Sequence, residues 1–362
     1  MNMEKVFGEL LAGLREAMEV GDRQSNQEIL ARVDDWSSFV HLAERHRVLA
    51  LIRLGLRHAC ILDPEVEEIM APLRQAWNAR GLMQITGLNL AVECLDQHGI
   101  PVLVLKGMPL SEHLYGAPLA RENSDIDILI PPVAMNSAVD ALCMNGWKPR
   151  SPPWQPKSVL NRYFDRYVNN RTFSGPGGVL ELHHRLTNNP YLLHSSFEEL
   201  DSRAMQVEIN GAPFRTMGNS DLLIYLCVHG QLHRWSRLKW LCDIAALMDI
   251  MTEDGYMKAL KHAQSQGLSP RAVFGTALKL CNETFSMDLP ESGASLVAGP
   301  WILQQRRKTW SLWLRPGGGK GLQGVARLLD QMQTRLAATS LRGLVHELLR
   351  LCLRAAAFWY RP

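Results

Sequence analysis

The stretch Ser124-Asp-Ile-Asp-Ile-Leu-Ile130 decides how the rest of the chain is read. From Ile126 it is an apolar run broken by a single acid, the pattern of a buried strand, and Pro131-Pro132 stops it. Side chains alternate along a strand, so Asp125 and Asp127 point to one face. Two carboxylates that close are unfavourable unless a cation lies between them or one takes up a proton. An Asp-x-Asp pair at the mouth of an apolar strand is therefore a candidate metal site. Oxygen ligands favour magnesium or manganese over zinc or copper.

On the N-terminal side, Pro101-Val-Leu-Val-Leu105 reads as another short strand, ending in Lys106-Gly107 ahead of a helix over 110–115. A glycine at that turn lets a phosphate reach the N–H groups of a helix N-terminus, where the macrodipole also favours an anion. Lys106 offers a point charge, Ser111 a hydroxyl one turn on, and Arg121 a bidentate phosphate contact. On the C-terminal side, the spacing predicts a helix over 133–145 closed by Gly146, then strands over 168–173 and 179–183 joined by Ser174-Gly-Pro-Gly-Gly178. A hairpin over 207–216 follows, turned by Asn210-Gly211. Glu181 alternates with Leu180 and Leu182, and is expected to bring a third carboxylate to the Asp pair from a neighbouring strand. Of His183 and His184, strand alternation allows at most one on the acid face.

These strands divide the chain into a helical front over 1–98, a sheet domain over 99–218 and a helical domain over 219–362. Asp63-Pro64 starts a helix in the front section and Gly99 closes its last one. Asn219, Ser220 or Asp221 is expected to cap a helix running to about Trp235, with a second over 239–251 and more to Cys281. Arg315-Pro-Gly-Gly-Gly-Lys-Gly321 reads as a loop or linker before a final helical pair.

The charged fraction of 21% and apolar fraction of 46% are those of a globular protein rather than a disordered one. A net charge of +3 gives no basic excess for a nucleic-acid groove, which argues against polymerisation or tailing. Seven cysteines, odd in number and without a Cys-x-x-Cys pair, read as reduced thiols of a cytoplasmic protein. No uncharged apolar run of about 18 residues is present, so no membrane span is expected. The basic segment over 341–362, ending in Phe358, Trp359 and Tyr360, reads as a helix docked on its own protein rather than on a membrane surface. His229-Gly-Gln-Leu-His233 lacks the glutamate of a zinc-protease helix. Gly317-Gly-Gly-Lys-Gly321 is not a P-loop, because no strand precedes it and no Ser or Thr follows its lysine.

The run Leu105-Lys-Gly-Met-Pro-Leu110, then Leu114-Tyr115, Arg121 and Ser124 to Ile130, resembles the signature of the uncharacterised nucleotidyltransferase family of the DNA polymerase beta-like superfamily. Glu181-Leu-His183 is similar to that family's third-acid strand. Leu226-Cys-Val-His229, His233-Arg-Trp235 and Leu238-Lys-Trp-Leu-Cys-Asp-Ile-Ala245 resemble its helical histidine and lysine–aspartate segment. The resemblance implies an α+β fold, a small mixed polymerase-beta-like sheet flanked by helical N-terminal and C-terminal regions. It also implies a magnesium (or manganese) cofactor and an NTP substrate. Under it, Asp125, Asp127 and Glu181 are catalytic and hold the metal. Lys106, Gly107, Ser111, Arg121, Ser124, His229 and Lys239 bind the nucleotide. The wider superfamily usually has Gly-Gly or Gly-Ser at the phosphate turn, where this chain has Lys106-Gly107-Met108; the family itself shows Lys-Gly. The implied reaction transfers a nucleoside monophosphate to an unknown acceptor (sugar, peptide or protein), in polysaccharide or modified-peptide biosynthesis. The competing reading is a non-catalytic nucleotide-binding, antitoxin-like or biosynthetic accessory module on the same fold. No motif encodes base preference or oligomeric state.

Overall fold

A computed structural model describes residues 3–151, 168–297 and 300–314. The glycine-rich loop at 315–321, the final helical pair and the basic C-terminal segment lie outside the described residues. The strands are β1 (Leu103–Val104), β2 (Ile126–Leu129), β3 (Lys148–Ser151), β4 (Asn170–Gly175), β5 (Gly178–His183), β6 (Met205–Ile209) and β7 (Ala212–Thr216). They form one sheet in the order β3-β4-β5-β2-β1-β7-β6. At its centre β2 runs parallel to β5 and antiparallel to β1, and β1 runs parallel to β7, so the sheet is mixed. Every residue of β2 is buried, as the apolar run predicts for a strand covered on both faces. With helices before and after it, this sheet gives the expected α+β fold.

The front of the chain is helical, as its periodicity predicts: α1 (Met3–Ala17), α2 (Arg23–Leu30), α3 (Trp36–His46), α4 (Leu49–His58) and α5 (Pro64–Gln97). The Asp63 side chain caps α5 and Pro64 is its first residue. This long helix serves two cores. Val66 and Met70 join the helical core, which also takes Phe7, Phe39 and Ile52 from the front and Tyr225, Leu241 and Phe274 from the helices after the sheet. Leu88, Ala91 and Leu95 join the core under the sheet, with Ile128, Trp147 and Leu180. At Gly87 the helix crosses the β4–β5 turn so closely that a Cβ would overlap Gly177. The two glycines let helix and sheet close backbone to backbone.

Several elements differ from the expectation. The helix over 133–145 is a 3-10 turn (Pro132–Ala134) followed by α7 (Met135–Met144). Strand β3 was not anticipated: Lys148-Pro-Arg-Ser151 is polar and contains proline, which only a sheet edge or bulge accepts, and the register shifts between Pro149 and Ser151. The short helix Phe197–Ser202 was missed although Ser196 and Glu199 form a capping box in front of it. The helix Asn219–Leu232 is capped by Gly218 and not by the polar residues after it. Their side chains are taken elsewhere: Asn219 Oδ1 lies 2.7 Å from His113 Nε2, Ser220 donates to the Gly255 carbonyl, and Asp221 accepts from Arg203. The hairpin turn is as expected, with Asn210 and Gly211 both at positive φ. Among the described residues, no helix is long and apolar enough to cross a membrane.

Candidate active site

Parallel pairing of β2 with β5 sets Asp127 directly opposite Glu181. His183 follows Glu181 by two residues and so shares its face. His183 Nε2 lies 3.1 Å from Asp127 Oδ1 and 3.4 Å from Glu181 Oε2. The ligand atoms of the three residues lie within 4.8 Å of one another. Asn170, at the start of β4, donates to Glu181 Oε2 at 2.7 Å, and the Asn169 amide lies 3.1 Å from the other ring nitrogen of His183. Asp125 is outside this trio. It is half-buried one residue before β2, and its charge acts on Glu181, Lys106 and Tyr225.

Burial opposes every charge here, and mutual pairing overcomes it. Asp127 is 1% exposed, yet Lys106 and His183 hold its carboxyl below the usual range. The His183 hydrogen bond does most to lower Glu181. Burial works against the His183 cation, but the two carboxylates raise it to about 9. Burial likewise opposes the Lys106 charge, and Asp127, Tyr225 and Asp125 outweigh it. Lys106 Nζ stands 3.3 Å from Asp127 Oδ2, but that oxygen has no hydrogen-bond partner among the described residues. Two carboxylates and an imidazole with ligand atoms within 4.8 Å of one another are a donor set that fits a small divalent cation once Lys106 and the His183 proton give way.

Gly107 is the N-cap of α6 (Met108–Tyr115), with φ +89° and ψ −137°. Side-chain-bearing residues avoid that region, while a Cβ built there would meet nothing within 4 Å. Conformation rather than crowding therefore demands glycine, and the space beside the turn is open. Lys106 and Gly107 thus sit together at the edge of the acid group.

The five other expected nucleotide contacts have partners within the protein. Ser111 is fully buried; its Oγ donates to the Ala117 carbonyl at 2.7 Å and accepts from the Arg121 N–H at 2.9 Å. Its hydroxyl staples the loop after α6. Arg121 grips both oxygens of Asp243 at 2.9 and 2.8 Å and also donates to Asn123 Oδ1. Tyr115 donates to the same Asp243 at 3.2 Å. Lys239 is 7% exposed, donates to the Glu122 carbonyl at 3.1 Å, and is pushed well below the usual lysine range by burial and by Arg121 and Arg47. Ser124 Oγ accepts from Arg47 at 3.1 Å. His229 packs its ring 4.5 Å from His233 and 5.9 Å from Trp240, and burial followed by the Lys106 charge keeps it neutral.

Sequence reasoning missed three contributors. Arg47 sits in the left-handed conformation just past α3 and reaches Ser124 across 77 residues of chain, which no local pattern signals. Tyr225 feels the charges of Lys106, Asp127 and Glu181; its place one turn before His229 was a usable signal. Glu122 is 5% exposed and is raised to about 7 by burial, against the pull of the Leu49 N–H, Lys239 and Arg47.

Residues 33–286 match the model of a family described as uncharacterised nucleotidyltransferase. No curated protein sequence matches the chain. Similar solved structures include the antibiotic-resistance factor ANT(2'')-Ia, with 12% identity and a TM-score of 0.38 over 51% of this chain and 95% of that one. An antigenic nucleotidyltransferase-like protein from Paracoccidioides brasiliensis is another, with 16% identity and a TM-score of 0.32 over 57% of this chain and 97% of that one.

Proposed function

Because the chain belongs to the uncharacterised nucleotidyltransferase family, we propose that it moves a nucleoside monophosphate from an NTP to an acceptor, releasing pyrophosphate. The observation that carries this reading is the convergence of Asp127, Glu181 and His183, with ligand atoms within 4.8 Å of one another, beside the Lys106-Gly107 turn. Asp127 and Glu181, with Asp125 at the strand mouth, hold the divalent cations, magnesium or manganese. When bound, such ions supply charge stabilisation at the attacking and leaving oxygens. Lys106 neutralises a phosphate oxygen, and Gly107 leaves room for the phosphates to approach the start of α6. Glu181, held by Asn170 and His183, takes the acceptor proton. The acceptor oxygen bonds to the α-phosphorus, and the bond to the departing pyrophosphate breaks with its electron pair.

A calorimetric titration with magnesium and each NTP, followed by an assay for pyrophosphate release, tests the reading. Absence of nucleotide binding overturns it. The second reading, a nucleotide-binding module without turnover, draws support from Lys106 and His183, which already neutralise Asp127. Binding without pyrophosphate release, with every acceptor tried, would establish that module instead.

A further inference from the structure

Two arginines from distant parts of the chain act on Asp125. Arg47 is the first residue past α3 and has left-handed backbone, φ +56° and ψ +48°, at a position that helices commonly give to glycine. Arg237 lies in the loop after the helix Asn219–Leu232, which two successive left-handed residues, Arg234 and Trp235, turn back on itself. That loop is fixed. The Trp235 ring packs where a side chain at Gly230 would stand, and the Trp235 carbonyl accepts from Trp313 Nε1 at 2.7 Å. A hydrogen bond of 3.2 Å from the Leu238 N–H to His46 Nδ1 joins the two segments. Each arginine neighbours one end of that bond, so the fold itself brings Arg47 within reach of the Arg237 charge.

Neither guanidinium is saturated. Among the described residues, the Arg47 side chain makes one hydrogen bond, from Nη1 to Ser124 Oγ at 3.1 Å, and stands 5.9 Å from the Trp77 ring centroid. The Arg237 side chain makes no hydrogen bond or ion pair among them. Burial, then the Arg237 charge, pushes Arg47 down to about 10, and burial lowers Arg237 as well. The same two carboxyls, Asp125 and Glu122, pull both arginines the other way. Glu122 gives one oxygen to the Leu49 N–H at 3.0 Å and is itself raised to about 7, so near neutrality it is only partly ionised. On the proposed reading, Asp125 turns to a divalent cation. Two half-buried cations with N–H donors to spare can then offer an anion more than the protein returns to them. Arg47, Arg237, Ser124 and Asp125 are all partly open to solvent, so an anion can reach the pair. Two guanidinium forks suit a group with several oxygens and close to two charges, which is a phosphate.

We propose that Arg47 and Arg237 form a phosphate-binding pair at Asp125, separate from the Lys106-Gly107 turn, that takes a phosphate group of one of the two substrates. That group is either the end of the nucleoside triphosphate or a phosphate carried by the acceptor. The proposal rests on the transfer reading for the role of the bound group, whereas the site itself is tested without turnover. The test is calorimetric titration of the full chain with inorganic phosphate in the presence of magnesium. The wild type should bind at millimolar concentrations, and Arg47→Gln and Arg237→Gln should each weaken binding about tenfold. Arg57→Gln, which removes an exposed arginine on α4, should change it by less than about twofold, so that loss of net charge alone is accounted for. Arg237 has no partner to lose among the described residues, so its variant keeps the test decisive where Arg47→Gln fails to fold. Repeating the titration with saturating nucleoside triphosphate separates the two sources. Phosphate excluded by the nucleotide assigns the pair to the triphosphate, and phosphate bound beside it assigns the pair to the acceptor. Phosphate binding without binding of any nucleotide would sink the transfer reading alone. No phosphate binding, or binding that Arg237→Gln leaves unchanged, overturns the proposal.

Discussion

Two buried charge clusters both feel the charge of Asp125, and they differ in one respect. Around Asp243, both carboxylate oxygens are gripped by Arg121, which also bonds Asn123, while Tyr115 donates to one of the same oxygens. Around Asp127, Lys106 and His183 supply comparable positive charge, yet one carboxylate oxygen stays without a hydrogen bond. Burial is nearly the same, at 0% exposed for Asp243 and 1% for Asp127. A saturated cluster has no bond left to offer a ligand and serves to hold elements together. An undersaturated one stores an unmet demand that a ligand can satisfy. On the proposed reading, Asp127 is set apart from Asp243 by how completely the protein satisfies each carboxylate, rather than by depth.

The largest effect should come from removing the open acid. Asp127→Asn is expected to lower turnover about 10⁴-fold, about 5 kcal/mol of barrier, in a pyrophosphate-release assay. Folding should survive, because His183 can shed its proton and Lys106, at 14% side-chain exposure, can turn to solvent. Activity within tenfold of the wild type would dissolve the distinction between the clusters. Asp243→Ala probes the saturated side and should cost about 4 kcal/mol in urea denaturation, since it strands the Arg121 charge in the interior. Replacing both partners, as Arg121→Met with Asp243→Leu, should recover most of that loss. If Asp243→Ala instead kept its stability and lost nucleotide binding, the closed cluster would belong to the site.

The meeting of Asp127 with Glu181 was readable from the chain because strand periodicity is simple: each acid's face follows from its neighbours, and a parallel register joins them. The α+β architecture was readable for the same reason, since apolar runs and Gly turns punctuate the strands. Arg121 and Lys239 were not readable. Their partners lie 122 and 117 residues away, and a basic residue near a phosphate turn looks the same whether it meets a phosphate or Asp243. Strand β3 escaped because Lys148-Pro-Arg-Ser151 has no apolar alternation and is held only as an edge. The meeting of Arg47 with Arg237 depends on how the turn after α3 packs against the loop that carries Arg237, which no local pattern encodes.

The open cluster should also betray itself by pH. His183 is raised to about 9 from an ordinary 6.5 by its two carboxylates, so the folded state holds its proton more tightly than the unfolded chain. That stabilisation is complete below about pH 6.5 and is lost as pH rises through 9, and it is worth on the order of 3 kcal/mol. Urea denaturation of the metal-free protein at pH 6 and pH 9.5 should show that difference, and His183→Gln should flatten it. A wild type equally stable at both pH values would mean that the acids do not hold a charged imidazole.

The smallest effect sharpens the saturated side. Ser111 sits one turn into α6, the place from which a hydroxyl can reach a phosphate, but it donates to the Ala117 carbonyl and accepts from the Arg121 N–H. Ser111→Ala leaves a buried carbonyl and a buried N–H without their partner and should cost about 2 kcal/mol of stability. The KM for the nucleoside triphosphate should stay within twofold, because the proposed function rests the phosphates on Lys106 and Gly107 and not on this hydroxyl. A tenfold rise in that KM at unchanged stability would move Ser111 from the loop to the phosphate, and would show that α6 presents a side chain, and not only its open N-terminal turn, to the substrate.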